Sequence, residues 1–410
     1  MSSSAARREW ATMWPLPIVA MLGVAGSGIF AYASGIVMED MTRAFGWSRA
    51  QFSTAFVLQM GLGLFAMPAV GWLIDRIGAR RVALIGMAPF MGSLALLGLA
   101  NGSIWQWWLL CLLLAACQAF VAQVVWVTAV VGRFEASRGL AMAVALAGLS
   151  LAILIWPILA AFYLRMFGWQ AVMPALALTW GVVALPLTAL FFFGPQRGGA
   201  VSAAPKKAAS YGKAFWSSTF VGLMVAGGLF SSAYYGLIVH MVPILKGKGI
   251  DLTTAAALAG IMGAFSIIGR LGTGYLLDRL PTRPIGVVIF LAPILASALL
   301  WHGEGSVKVA AIAVAILGFA SGAEFDLVTF IAARRFGHQV FGSIYSVFVA
   351  IISVCASTGP MLAGALFDAS GSYDLFLLAM MPMALAGAVL MAWIPLAPTG
   401  EPEAAEPAHA

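Results

Sequence analysis

The stretch GWLIDRIGARR (71–81) is written a second time, slightly altered, as GYLLDRLPTRP (274–284). Each copy closes a long apolar run with Asp-Arg and further basic residues, so the two halves of the chain read as one membrane unit duplicated. Other landmarks recur at nearly the same offset: Arg133-Phe134 against Arg335-Phe336, Pro157 against Pro360, and Gly168-Trp169 against Gly371-Ser372-Tyr373. Such a duplication points to a transporter.

The composition names the solvent. The chain is 62% hydrophobic and 9% charged, with a mean hydropathy of +0.99, whereas soluble domains carry about 25% charged residues. The apolar runs have the length that a helix needs to cross roughly 30 Å of hydrocarbon. Spans are predicted at 15–38, 51–74, 82–101, 105–131, 140–163, 169–193, 217–242, 254–277, 285–301, 307–333, 343–367 and 373–395. The expected protein is an all-α polytopic membrane protein of twelve helices, in two six-helix bundles (15–193 and 214–396) related by a pseudo-twofold axis. A segment at 1–14 precedes them. Residues 194–213, rich in Gly, Ala, Ser and Pro, read as a flexible linker, and 397–410 as a disordered tail.

Twelve spans put both termini on one side, and the basic residues choose it, because Lys and Arg near span ends collect in cytoplasmic loops. With both termini inside, fifteen of the 22 Lys and Arg fall on the cytoplasmic side and six outside. The expectation is a multi-pass protein of the inner (plasma) membrane with cytoplasmic termini, and the net charge of +7 is a consequence of topology that implies no nucleic-acid partner. The first apolar run is too long for a signal-peptide core and is retained. Cys111, Cys117 and Cys355 lie inside apolar runs without metal-ligand spacing, so neither a disulfide nor a metal is expected. With no nucleotide fingerprint and no catalytic cluster, no cofactor and no enzyme activity are expected. The loops are too short for an ectodomain, Asn101-Gly102-Ser103 reads as a turn, and nothing calls for more than a functional monomer. Trp105, Trp107 and Trp108 read as an interfacial aromatic belt. Glycine spacings such as Gly23 to Ser27 read as helix-contact material.

These residues resemble the major facilitator superfamily, through the loop motif Gly71-x-x-x-Asp75-Arg76-x-Gly78-x-Arg80-Arg81 and its second-half echo. Within it the chain is similar to the monocarboxylate transporter-like group and its bacterial relatives, and to oxalate/formate antiporters. That resemblance rests on Phe45-Gly46-Trp47-Ser48-Arg49, on Tyr234-Tyr235-Gly236-x-x-x-His240-x-x-Pro243, and on Ile268-Gly269-Arg270. It rests further on Gly322-Ala323-Glu324-x-Asp326 and on Ala365-Leu366-Phe367-Asp368-x-x-Gly371-Ser372-Tyr373-Asp374. It implies alternating-access transport of small organic anions, often with a proton. It also implies a cytoplasmic latch formed by Asp75, Arg76, Arg80, Asp278, Arg279, Arg133 and Arg335 when the protein opens outward. Two departures matter: the animal members' first-helix lysine is replaced by a choice among Ala31, Tyr32 and Ser34, and their aspartate four residues before the eighth-helix arginine is Ser266.

Arg270 is the one Lys or Arg placed well inside a span, eight residues before Asp278, or roughly 12 Å along the helix. An uncompensated arginine there costs at least ~2.5–3.5 kcal/mol, so it either grips a substrate carboxylate through two parallel hydrogen bonds or pairs with Glu324 or Asp326. Those two acids are separated by about 200° around the tenth helix and face different ways. Glu324, Asp326 and His240, the last near the outer end of the seventh helix, are the candidate proton sites. Tyr234, Tyr235 and Ser266 are candidate substrate contacts, with the two adjacent tyrosines pointing apart. Gln118 and Gln123 either contact substrate or bond between helices. The repeat equivalents of Arg270 and Glu324 are Met67 and Ala122, so charged chemistry is confined to the second half. The expected function is symport of a monocarboxylate and a proton. The alternatives are anion exchange or proton-driven export of drugs or metabolites on the same fold.

Overall fold

Twelve helices are long and apolar enough to cross a membrane, in a computed structural model that describes residues 3–193, 217–277 and 279–395. The spans run Pro15–Phe45, Arg49–Ile77, Ala79–Leu99, Ile104–Val131, Arg138–Phe167 and Trp169–Phe191. They continue as Ser218–Gly247, Leu252–Leu277, Thr282–His302, Val307–Glu324, Val347–Ser370 and Asp374–Trp393. An all-α chain is what hydrocarbon demands, since every backbone N–H and C=O must be satisfied within the protein. The linker, the tail 397–410 and Asp278 lie outside the described residues, as do the side chains of Asp326 and Arg335.

The halves are built alike. The third span packs on the sixth as the ninth packs on the twelfth, and the first packs on the fifth as the seventh packs on the eleventh. Between the halves, the second span meets the eleventh and the fifth meets the eighth, while the first and seventh meet each other. Each pairing maps onto its counterpart when the halves are exchanged, which is the pseudo-twofold that the repeated sequence demands. The repeat extends to the caps. Gly168 ends the fifth span at φ 78° and its equivalent Gly371 ends the eleventh at φ 74°, a positive φ that glycine takes without steric cost. Small residues set the packing distances: a Cβ at Gly23 would lie 2.2 Å from the Trp126 ring, and one at Gly148 would lie 2.2 Å from the Met21 carbonyl oxygen. Twelve spans return the chain to the face on which it starts, hereafter the terminal face; the opposite one is the far face.

Three features depart from the sequence expectations. The fourth span is broken: helix Ile104–Gln118 gives way to a 3-10 turn, Ala119–Val121, and an extended Ala122 before helix Gln123–Val131. One carbonyl at the break, that of Val121, accepts from Trp126 Nε1 at 2.8 Å, and Phe120 at the turn packs on Gly86 of the third span. The loop expected between the tenth and eleventh spans is helical, so that one helix runs from Val307 to Ser370. Of the three belt tryptophans, Trp107 is core and not interfacial: its Nε1 donates to the Phe52 carbonyl at 3.3 Å, while Trp105 is 74% exposed and Trp108, half-buried, lies beside it.

The segment before the first span contains a helix, Ser3–Met13, held against the connection between the fourth and fifth spans. One Glu9 oxygen accepts from the amides of Glu135 (3.0 Å) and Ala136 (2.8 Å), and the other from the Ser137 amide (2.9 Å) and hydroxyl (2.7 Å). Trp10 packs beside Phe134, with centroids 5.5 Å apart. The Ala136 amide and Ser137 hydroxyl favour the carboxylate most and pull the Glu9 pKa down to about 2. A depressed carboxyl contributes its stabilisation in full above its ordinary pKa of 4.5 and loses it as pH falls through the folded value. Docking of the leading helix is therefore expected to weaken between about pH 4.5 and 2, and Glu9→Gln to weaken it at neutral pH. Hydrogen exchange at Glu135, Ala136 and Ser137 reads both effects as a severalfold loss of protection, each rate being taken relative to the intrinsic amide rate at the same pH.

Candidate functional site

Arg270 enters the centre of the molecule from the eighth span, where Gly269 and Gly322 let the tenth span approach. A Cβ at Gly269 would lie 2.1 Å from the Phe319 carbonyl oxygen, and one at Gly322 would lie 2.0 Å from that of Ser266. Around it stand Tyr234 and Tyr235 of the seventh span, Glu324 of the tenth and Tyr32 of the first. Arg270 acts electrostatically on the hydroxyls of Tyr32 and Tyr234, and Glu324 acts on those of Tyr234 and Tyr235. Glu324 is buried, and its Oε1 lies 3.5 Å from where a Gly227 Cβ would be. Tyr234 and Tyr235 are neighbours in the sequence. Their rings sit edge to face, 6.0 Å apart, and long phenols from neighbouring positions both reach the cluster. The Tyr234 hydroxyl is buried beside Ser321, whose own hydroxyl donates to the Gly318 carbonyl at 2.9 Å.

Tyr32 was not singled out by sequence reasoning as a site residue. Its signal was there: a phenol in the apolar first span, at the place where the resemblance leads one to look for a cation. It lines a small cavity with Gly35, Ile36, Ile153, Val239 and Met262, holding room for about one water.

Other predicted site residues are occupied elsewhere. Ser266 is buried, and the Ser150 hydroxyl of the fifth span donates to it at 3.2 Å, so it joins the halves at mid-depth. Gln118 Nε2 donates to the Ser27 carbonyl, tying the fourth span to the first, while Gln123 opens the helix beyond the break. His240 is not an exposed end residue. It is fully buried, with Nδ1 hydrogen-bonded to the Tyr373 hydroxyl at 2.7 Å and Nε2 facing Ser53 Oγ at 3.2 Å and the Pro360 carbonyl at 3.0 Å.

The hydrogen bonds found between the halves among the described residues run from Ser150–Ser266 outward to the far face, where Arg165 Nη1 donates to Thr253 at 2.7 Å and Lys246 pairs with Glu39. Toward the terminal face no hydrogen bond between the halves is found among the described residues. A Cβ at Gly61, Gly63 or Gly71 of the second span, or at Gly274 of the eighth, would meet nothing within 4 Å. Asp75 is exposed, Arg76 lies over Trp72 and Arg279 over Tyr275, and Arg80 Nη2 donates to the Ala189 carbonyl at 2.6 Å.

A family model described as Major Facilitator Superfamily matches residues 20–354. The chain is 26% identical to monocarboxylate transporter 10 of Homo sapiens over 408 residues, covering 88% of this chain and 74% of that one. It is 24% identical to the agnestins efflux protein of Paecilomyces divaricatus over 393 residues, covering 91% and 86%. A crystal structure of a bacterial homologue of the human lysosomal transporter Spinster, in an inward-facing and occupied conformation, superposes with a TM-score of 0.69 at 17% identity, covering 93% of this chain and 91% of that one. That likeness is one of fold.

Gln118 supplies a test of structure against binding. Gln118→Ala is expected to cost about 1 kcal/mol of stability, the worth of one hydrogen bond, read as a lowered melting temperature. Ligand affinity, measured by titration calorimetry, should stay at the wild-type value.

Proposed function

Because the matching family model covers well over half of the chain, the protein belongs to the major facilitator superfamily, and from that premise we propose that it carries a small monocarboxylate together with a proton. Membership makes it a multi-pass membrane transporter and not an enzyme. The observation that carries the finer reading is the grouping of Arg270 with Tyr32, Tyr234, Tyr235 and Glu324. A guanidinium offers a carboxylate two parallel hydrogen bonds, and three phenols offer further donors and aromatic faces to the body of the acid. Glu324, when protonated, withdraws a negative charge that competes with the substrate for Arg270. When it is ionised after substrate release, it compensates the arginine. Coupling in this scheme is competition of two anions for one cation. A dicarboxylate fits it less well, since Arg270 is the one cation that the sequence sets deep in a span.

The relation to monocarboxylate transporter 10 supports this reading; the relation to an efflux protein supports proton-driven export as the second. The distribution of basic residues supports cytoplasmic termini in the inner (plasma) membrane, which makes the terminal face cytoplasmic and the state described inward-open. We take the protein to work as a monomer, with the halves rocking about the linker at 194–213.

Uptake of labelled short-chain, hydroxy and aromatic monocarboxylates into proteoliposomes, with and without an inward proton gradient, tests the proposal. Gradient-stimulated uptake is expected for at least one acid. Arg270→Lys, which removes the bidentate geometry, should lower its kcat/KM by about tenfold or more, as for loss of a charged hydrogen bond. Uptake indifferent to the substitution would move export to the front.

A further inference from the structure

Three sequence motifs that mark the family resemblance have no part in the cluster around Arg270, apart from the paired tyrosines of one. They are Phe45-Gly46-Trp47-Ser48-Arg49, the His240 end of the seventh-span motif, and Phe367-Asp368 with Tyr373. In the structure they meet at one place on the far face, where the second span begins.

The first amides of a helix have no partner within it. Here Ser48 caps the second span from its own side: its hydroxyl accepts from the Gln51 amide at 3.1 Å, and Gln51 answers by accepting from the Ser48 amide at 3.0 Å. The next two amides are satisfied by the opposite half. Asp368, at the end of the eleventh span, accepts from Arg49 N at 2.9 Å with one oxygen and from Ala50 N at 2.9 Å with the other. A carboxylate at a helix N-terminus is also favoured by the helix dipole.

Gly364, one turn before Asp368, makes the approach possible. A Cβ there would lie 2.6 Å from the Arg49 carbonyl carbon and 2.7 Å from Ala50 N, both backbone atoms that cannot step aside. The Arg49 side chain crosses the same boundary, with its guanidinium 3.5 Å from the Phe367 ring centroid and Nη1 donating to the Tyr373 hydroxyl. The chain of bonds then continues inward. The Pro360 carbonyl can only accept, so His240 Nε2 carries a proton, and in the neutral ring Nδ1 accepts from Tyr373.

We infer that Asp368, Arg49, Tyr373 and His240 form the far-face gate of the transporter, a latch in which one half of the protein caps a helix of the other. Opening this face pulls Asp368 from the amides of Arg49 and Ala50, slides the guanidinium off Phe367 and parts Ser53 from His240, so these bonds break as a set. Water then satisfies the freed amides, which keeps the cost small enough for a cycling protein. The latch sits on the same pair of spans, second and eleventh, whose other ends carry Asp75-Arg76 and the Arg335 segment. The inference does not depend on which substrate is carried.

Spin labels at Asn101→Cys and Lys308→Cys, both exposed on the far face in opposite halves, read the gate directly in a background lacking the native cysteines. Electron–electron distance measurements in nanodiscs should give one short population for the otherwise wild-type protein. Asp368→Asn should raise a longer-distance population by about three- to tenfold, in line with the loss of a charged helix cap. Gly364→Ala should do the same by steric separation, and Asp368→Glu should restore the short distance in part. Should Asp368→Asn fail to fold, Gly364→Ala reads the same opening without touching a charge. A distance distribution unchanged in the variants that fold would overturn the assignment.

Discussion

The two halves touch through backbone, and this close approach on glycine is the constraint on which the rest of the structure depends. At Gly35 the first span comes so near the seventh that a Cβ would lie 1.9 Å from the Val239 carbonyl oxygen. At Gly263 the eighth span meets the Ser150 carbonyl oxygen at 2.4 Å by the same measure. Between apolar helices in lipid no hydrophobic effect drives association, so contact density and polar bonds across the interface must hold it. Far-face closure therefore needs small residues at the crossing points and polar groups beside them. Both are present: Ser150 faces Ser266, Ser53 faces His240, and Asp368 meets the start of the second span. In the terminal-face half of the second and eighth spans, by contrast, a Cβ at Gly61, Gly63 or Gly274 would meet nothing within 4 Å.

Much of the fold was legible because its signals are long and redundant. Twelve apolar runs, a duplicated Asp-Arg loop and the paired glycines at 168 and 371 each depend on many residues or on a backbone geometry that few residues tolerate. The boundaries agree with the spans to within a few residues, except where the first and seventh spans run on past Met38 and Val242 to Phe45 and Gly247, and where the tenth, expected to reach Ala333, is Val307–Glu324 within one continuous helix. The break in the fourth span was not legible. It follows from Phe120 packing on Gly86 and from Trp126 serving the Val121 carbonyl, tertiary contacts that leave no periodic trace. The docking of the leading helix through Glu9 was hidden for the same reason, since a single carboxylate in a polar segment looks like any solvated charge.

The site was legible where charge in hydrocarbon is costly and hidden where it is not. Arg270 and Glu324 stood out because an ion in an apolar run demands an explanation. Tyr32 did not, since a phenol is tolerated in a span on packing grounds alone. Arg49 carried the resemblance and counted as an outside charge but was given no part in a site, because an arginine just before the second span looks like a solvated loop charge. Asp368 carried the resemblance without a function, because the amides it serves belong to a helix 318 residues away.

The division of labour between the halves follows from these placements. The second half holds Arg270, Glu324 and the paired tyrosines on adjoining spans, so in the function we propose the ionic part of the candidate site keeps its geometry whichever way the halves tilt. The first half contributes Tyr32 and, at the repeat equivalents of Arg270 and Glu324, Met67 and Ala122, neither of which carries charge. A site with its charges in one rigid body does not have to break ion pairs across the moving interface at mid-depth. What must break lies at the two faces, where water can take up the freed groups. In a protein that must visit both states, that arrangement keeps the expensive electrostatics constant and leaves the conformational equilibrium to modest contacts at the ends of the second, fifth, eighth and eleventh spans.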